Sequence, residues 1–277
     1  MSGKVIMLMV DAMSYDACVE VAGAVEGWVE SGEARRQKMR SVLPSLSMPA
    51  YESLHTGTTP QVHGILSNNQ HEVSRGPHVF GLAHEAGKKT AVVAHSYFSE
   101  LLVRAPYDAV RDCEIDDESH HVQHGRFYSV FGETKYNACL PGTFDICARG
   151  THLIERFGSD YLFLHAVGPD HVGHVKGGDS AEYRYEIWQV SDALSLFVPR
   201  WRAMGYRVLV TGDHGMADVG HHGGTTDQER YVPFWDIGHP RGGIAEGIAD
   251  QTSVATTILD ILGVEPAPIM QGPSLAH

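Results

Sequence analysis

Several features that would quickly place a chain in a known class are scarce here. The four cysteines, Cys18, Cys113, Cys139 and Cys147, are scattered and form no C-x-x-C pair. That pattern fits reduced cytosolic thiols better than a disulfide framework. Long apolar runs are missing as well: nothing approaches the ~18 consecutive apolar residues of a membrane span. The run Val5 to Val10 is too short for the apolar stretch of a signal peptide and ends in Asp11. On this reading the chain has no membrane span and is expected to be soluble and cytoplasmic. Positive charge is also in short supply, with 21 Lys plus Arg against 34 Asp plus Glu and a formal charge of −13. Such a balance disfavours nucleic-acid or anionic-membrane binding that rests on bulk charge. There is no internal repeat, low-complexity tract or Pro/Ser-rich linker.

What is present is the composition of a globular protein with a sizeable core, 43% hydrophobic and 20% charged. The length suits one α/β domain, and residues 1–277 are read as a single unit. Histidine is abundant at 18 residues, and imidazole is both a common metal ligand and a residue that folding does not require.

Four continuous apolar runs, Lys4–Val10, Thr90–Ala94, Asp160–Val167 and Tyr206–Thr211, have the length and character of strands buried on both faces. Helical spacing separates them over Tyr15–Val29, Pro77–Ala86, Phe144–Phe157 and Ala181–Met204. The last three end at Gly87, Gly158 and Gly205, a helix C-terminal signal. This alternation predicts a mostly parallel sheet with helices on both faces, with ligands collecting at the carboxyl ends of the strands. One stretch breaks the pattern. Arg104–Pro141 is irregular, with an acidic run Glu114–Glu118 followed by His120, His121 and His124, and is expected to be a small cap inserted over the site. The three histidines are read as a solvated polar loop.

The predicted strand ends carry the chemistry. Asp11 closes the first strand. After the third comes G-P-D-H-V-G-H, with Asp170 and His174 four residues apart, close enough to hold one cation on a helical turn. After the fourth comes G-D-H-G-M, with Asp213 and His214, and then G-H-H-G-G with His221 and His222. Glycines on either side of Asp213–His214 are expected to let the backbone turn sharply. One Asp with two His suits a catalytic zinc that keeps an open position, and two further Asp with one His suit a second ion beside it. Two ions together suit in-line displacement at phosphorus, which needs a nucleophile. Ser47 stands just before Pro49, so Ser47 or Met48 is expected to cap a helix at the positive end of its dipole.

Together these residues resemble the alkaline phosphatase superfamily, and within it the type I phosphodiesterase/nucleotide pyrophosphatase branch. The likeness spans nearly the whole chain. Asp11 matches the branch's metal-binding Asp after the opening strand, and Thr56–Ile65 matches its T-G-x-x-P-x-x-H-G-I motif. Ser47 falls on the nucleophile position, within S-M-P-A where the branch usually has Thr followed by F-P-N-H. Asn68 falls on the Asn that contacts phosphate oxygen.

The resemblance implies a three-layer α/β/α sandwich and two divalent metal ions, most simply Zn2+, with Mn2+ or iron also suited to such ligands. It assigns Asp170, His174 and His222 to one ion, and Asp11, Ser47, Asp213 and His214 to the other. It implies a phosphodiesterase or nucleotide pyrophosphatase acting on a small-molecule phosphate ester through a phosphoseryl intermediate. Two zinc ions, three aspartates and one serine alkoxide leave a centre near neutral, which favours a singly charged diester. The alternatives are a phosphomonoesterase or phosphonate hydrolase on the same scaffold and, from another class, a metal-binding pseudoenzyme without turnover. A phosphoglycerate-type mutase is set aside because the chain lacks that type's large inserted transferase domain.

Overall fold

The computed structural model describes residues 3–130 and 140–277. Its centre is a nine-stranded sheet in the order β4-β5-β3-β6-β1-β7-β8-β2-β9. The strands are β1 (Lys4–Val10), β2 (Ala34–Arg40), β3 (Thr90–His95), β4 (Glu114–Asp116), β5 (His124–Tyr128), β6 (Tyr161–Ala166), β7 (Tyr206–Gly212), β8 (Tyr231–Ile237) and β9 (Gly243–Asp250). Strands β5, β3, β6, β1 and β7 run parallel; β4 and β8 run against their neighbours, and β2 and β9 are again parallel to each other.

The four strands predicted from apolar runs are β1, β3, β6 and β7, and three of them form the middle of the sheet. Alternate residues of β1 divide the core in two. Ile6, Leu8 and Val10 join one apolar cluster, packed under α1 (Tyr15–Val21), α2 (Gly23–Glu30), α7 (Thr143–Phe157) and α9 (Ala181–Ala203). Val5, Met7 and Met9 join the other, under α3 (Ser47–Thr56), α5 (Val79–Glu85), α6 (Ser96–Leu102) and α11 (Ser253–Leu262). The period-two alternation of a strand thus feeds two cores, which is the α/β/α sandwich expected from sequence. The short helices α4 (Pro60–His63) and α10 (Asp227–Arg230) and the nine-residue α8 (Gly168–Lys176) sit in the connecting segments. Among the described residues no helix is long and apolar enough to cross a membrane.

Three local readings differ from expectation. The helix expected over Tyr15–Val29 is two helices, because Ala22 (φ −80°, ψ 55°) leaves the helical region and ends α1 while starting α2. Helix α3 begins earlier than its proline suggests: Leu46 is the N-cap and Ser47 the first helical residue. And part of Arg104–Pro141 belongs to the sheet. β5 lies beside β3 in parallel register and β4 beside β5, so residues 114–116 and 124–128 extend the sheet edge. The rest of the expected cap includes residues 131–139, which lie outside the described residues.

Candidate functional site

Adjacent strands β6, β1 and β7 end side by side, and each releases a carboxylate at the same edge. Asp11 follows β1 directly, Asp213 follows β7 directly, and Asp170 lies in the first turn of α8 after β6. The second reversal of direction, from β8 to β2, sends the end of β2 to this edge too, and the chain then reaches Ser47 at the start of α3.

The side chains gather into two groups whose ligand atoms all lie within 4.8 Å of one another: Asp170, His174 and His222, and Asp11, Asp213 and His214. In the first, Asp170 Oδ1 is 3.4 Å from His174 Nε2 and 3.5 Å from His222 Nε2. In the second, His214 Nε2 is 3.3 Å from Asp11 Oδ1 and 3.2 Å from Asp213 Oδ2. Ser47 Oγ stands 3.2 Å from that same His214 Nε2. The seven residues that the sequence assigns to the two ions therefore gather at this edge. Asn68 joins it through its Oδ1, which accepts the Met48 backbone N–H at 3.0 Å and leaves the amide N–H groups for another partner.

The backbone fixes which atoms face inward. His174, His214 and His222 each turn Nδ1 to a main-chain carbonyl, of Gly220 (2.9 Å), Gly215 (2.9 Å) and Ser45 (3.2 Å). A carbonyl only accepts, so Nδ1 carries the proton and Nε2 presents a lone pair, the arrangement that orients a metal-binding histidine. Burial holds His214 and His222 below the usual imidazole range, His222 at about 3, which keeps them neutral. His221 is exposed.

The carboxylates do not coexist comfortably as bare charges. Burial, reinforced by the charge of Asp11, pushes Asp170 and Asp213 far above the usual carboxylate range. At Asp11 burial acts upward too, but the His165 hydrogen bond, the charges of His214 and His165 and the Tyr51 hydrogen bond outweigh it and hold the group well below. Asp11 Oδ1, Asp170 Oδ1 and Asp213 Oδ2 are buried without any hydrogen-bond donor. Orphaned buried oxygens normally demand an explanation. Here one orphan belongs to the first group and two to the second, opposite imidazole lone pairs, so the donor sets fit a divalent cation in each group.

Glycines shape this edge by close approach rather than by a sharp turn. Neither Gly212 nor Gly215 has a positive φ. A Cβ on Gly215 would lie 2.0 Å from the Gln228 carbonyl oxygen, and one on Gly212 would lie 2.9 Å from Met13 Cβ. Among the described residues the non-glycine with positive φ is Ala12 (60°), held by its N–H on Asp213 Oδ1 (3.0 Å) and by the Tyr183 hydroxyl on its carbonyl. Further ties set the loops: Ser41 Oγ and Gln251 Nε2 both donate to the Asp213 carbonyl, at 2.6 and 2.7 Å, and Ser45 Oγ donates to that of Gly224.

Two residues that the sequence does not single out, Tyr51 and His165, also reach Asp11. The signal for Tyr51 was its spacing, one helical turn after Ser47. By contrast, His120, His121 and His124 are not the solvated loop expected from sequence: His124 is buried at the start of β5, pairs with Asp116 at 2.9 Å and stacks on Phe157, while the half-buried His120 accepts the Val122 N–H and His121 bonds the Leu102 carbonyl.

An α/β/α sandwich with Asp/His groups gathered at the carboxyl edge of its parallel strands is the architecture of the alkaline phosphatase superfamily. Within it, the chain belongs to the type I phosphodiesterase/nucleotide pyrophosphatase family, whose sequence model matches residues 5–259. It is 22% identical, over 96% of its length, to the human GPI ethanolamine phosphate transferase 2 catalytic subunit. It is 25% identical, over 87%, to a 2,3-bisphosphoglycerate-independent phosphoglycerate mutase of Cereibacter sphaeroides. The match takes in 27% of the transferase and 49% of the mutase, so the chain spans about a quarter to a half of these relatives. Among solved structures, murine ectonucleotide pyrophosphatase/phosphodiesterase 5, an inactive variant in complex with AMP, aligns at TM-score 0.72 and 12% identity, over 98% of this chain and 97% of that one. The phosphonate monoester hydrolase of Silicibacter pomeroyi aligns at TM-score 0.65 and 13% identity, over 99% and 76%.

Proposed function

We propose that this is a phosphodiesterase using Ser47 as nucleophile beside two divalent metal ions. The observation that carries the reading is Ser47 Oγ at 3.2 Å from His214 Nε2, against a carboxylate–imidazole group with orphaned oxygens. Asp170, His174 and His222 would hold one ion, and Asp11, Asp213 and His214, with Ser47, the other. Such ions supply Lewis acidity: they lower the pKa of a nearby hydroxyl and offset charge on the phosphoryl oxygens.

The chain's own residues do the rest. Ser47, as the first residue of α3, holds its oxygen at the positive end of the helix. Its oxygen bonds to phosphorus as the ester oxygen opposite departs, giving a phosphoseryl enzyme that water then cleaves. Asn68, anchored through Oδ1, offers its amide N–H groups to an equatorial oxygen of the phosphoryl group. The three aspartates nearly neutralise two cations once Ser47 is ionised, which suits a monoanionic diester over a dianionic monoester.

The acceptor defines a second reading. Relatives of this chain include proteins named as ethanolamine phosphate transferases, and on a transferase reading an alcohol would take the place of water in this chain. Metal-stripped protein reloaded with zinc or manganese should hydrolyse bis-p-nitrophenyl phosphate in preference to p-nitrophenyl phosphate, and Ser47→Ala should abolish it. Preference for the monoester would favour the phosphatase alternative. Phosphate ester formed with an added alcohol, at the expense of hydrolysis, would favour the transferase.

A further inference from the structure

The two oxygens of Asp11 have different surroundings. Oδ1 faces His214 without a donor. Oδ2 accepts a hydrogen bond from the Tyr51 hydroxyl and lies 3.5 Å from His165 Nε2. Tyr51 has one hydroxyl proton, so once it donates to Asp11 its oxygen is free to accept, and His165 Nε2 stands 3.2 Å from it. The His165 Nε2–H is therefore directed at both the Tyr51 oxygen and Asp11 Oδ2, while the Tyr51 hydroxyl donates to Asp11. His165 is itself fixed: the Tyr128 hydroxyl donates to its carbonyl at 3.0 Å and stands 3.4 Å from Nδ1. Tyr51 stacks on Phe98 with ring centroids 4.4 Å apart, which holds the phenol in place. Tyr51 and His165 are buried, and Tyr128 is half-buried.

We infer that Tyr51 and His165 are positioning residues that occupy Asp11 Oδ2 and so make Asp11 a one-oxygen ligand, leaving a coordination place beside Ser47 open. This rests on the two-ion reading above. A carboxylate with both oxygens free can close on a cation through both and fill a position that serine and the phosphoryl oxygen need. A hydrogen bond on the second oxygen prevents that and fixes the carboxylate's rotation, and losing such a partner typically weakens metal affinity by ~10–100-fold. The support reaches back to Tyr128 on β5, so the sheet-edge strands contribute to the centre even though they carry none of its ligands.

The test is zinc titration of the metal-stripped full chain against a chromophoric chelator, reading stoichiometry and each affinity, for wild type, Tyr51→Phe, His165→Leu and His165→Gln. Tyr51→Phe keeps the stacked ring and removes only the hydroxyl. It should leave one tight ion, at the Asp170 group, and weaken the other by ~10–100-fold. His165→Leu should do the same, while His165→Gln, whose amide N–H can replace Nε2–H, should restore most of the affinity. If wild type binds two ions and Tyr51→Phe and His165→Leu bind both as tightly, the positioning role is overturned while the two-ion reading stands. Equal weakening of both ions, or weakening in His165→Gln as large as in His165→Leu, also overturns it, because that would mark a general loss of structure. If wild type binds no zinc, the two-ion reading fails and the inference with it.

Discussion

His174 Nε2 and His222 Nε2 stand 3.2 Å apart, and each ring donates its Nδ1 proton to a carbonyl, of Gly220 and Ser45 respectively. Two lone pairs therefore face each other, with Asp170 Oδ1 3.4 to 3.5 Å from both. An ionised Asp170 offers no proton to either ring, and a protonated one has a single O–H that can satisfy only one of the two lone pairs. A cation between them satisfies both, and the first three expectations below follow from that.

Removing the ions should destabilise the protein. Ions bound to the folded chain alone add about 2.7 kcal/mol each at a free concentration 100 times Kd, roughly 5–10 °C in Tm. Calorimetry before and after chelation checks this. The metal-free protein should also lose stability as pH rises. Asp170 and Asp213 have folded pKa values raised far above the ordinary carboxylate value, so their contribution is full below about pH 4 and is lost as pH climbs through the raised values. Asp11, held low, acts in the opposite sense, favouring the fold above about pH 4. Above about pH 4 Asp11 no longer changes its charge in either state, so the slope contributed by the three groups there comes from Asp170 and Asp213 and should be downward.

His222→Ala should lower the zinc stoichiometry from two tight ions to one, whereas His221→Ala should leave both, since His221 is exposed and the neighbouring ring alone faces Asp170. Metal analysis after dialysis distinguishes them.

Ser47→Ala should reduce kcat on a diester by roughly a thousandfold or more, as loss of a nucleophile does. Zinc affinity at the Asp170 group should not change. Steady-state kinetics and the zinc titration together separate loss of the nucleophile from loss of the centre.

Gly215→Ala should destabilise by about 2 kcal/mol or more, because its Cβ would sit 2.0 Å from a main-chain oxygen that cannot rotate away. His214 is the adjacent residue, so the ion held with Asp11 and Asp213 should be weakened first. Denaturant unfolding with and without zinc reports both effects.

Glu52, buried on the nucleophile helix, is pushed up to about 7 by burial, against the Ser74 hydroxyl and with help from Glu72. A raised acid stabilises the fold below its ordinary value of 4.5 and loses that contribution as pH rises through about 7. Glu52→Gln should flatten this dependence and be the more stable form at pH 8, by roughly 2–3 kcal/mol. Urea titrations at pH 5 and pH 8 measure the difference.

The parts of the fold that could be read in sequence were those whose environment is uniform. β1, β3, β6 and β7 are predominantly apolar because helices cover both faces, so a continuous run was the correct sign. β2 hid itself: Ala34–Arg40 carries four basic residues, yet Arg36 pairs with Glu26 and Lys38 lies over the rings of Tyr15 and Tyr231, their aliphatic stems covering the sheet. β8 contains Pro233, which argues against an interior strand in any pattern reading. Among the candidate site residues, the Asp and His side chains that gather into the two groups stood out in the sequence because they follow strand ends in Gly-flanked motifs. Tyr51 and His165 did not: Tyr51 stands one helical turn after Ser47, but a hydrogen bond to Asp11 can come from many residue types, so that spacing alone does not mark it.

The sheet order has a consequence for how the chain comes to be folded at all. β1 pairs with β6 and β7 and with no other strand, so the segment Val5–Val10 meets its first partner at Tyr161 and its second at Tyr206. During synthesis this apolar strand must wait unpaired while well over a hundred further residues emerge, and long-range parallel pairing of that kind is slow and prone to aggregation. Nascent chains stalled before residue 206 should accordingly hold β1 exposed, and engage chaperones that the finished protein no longer needs.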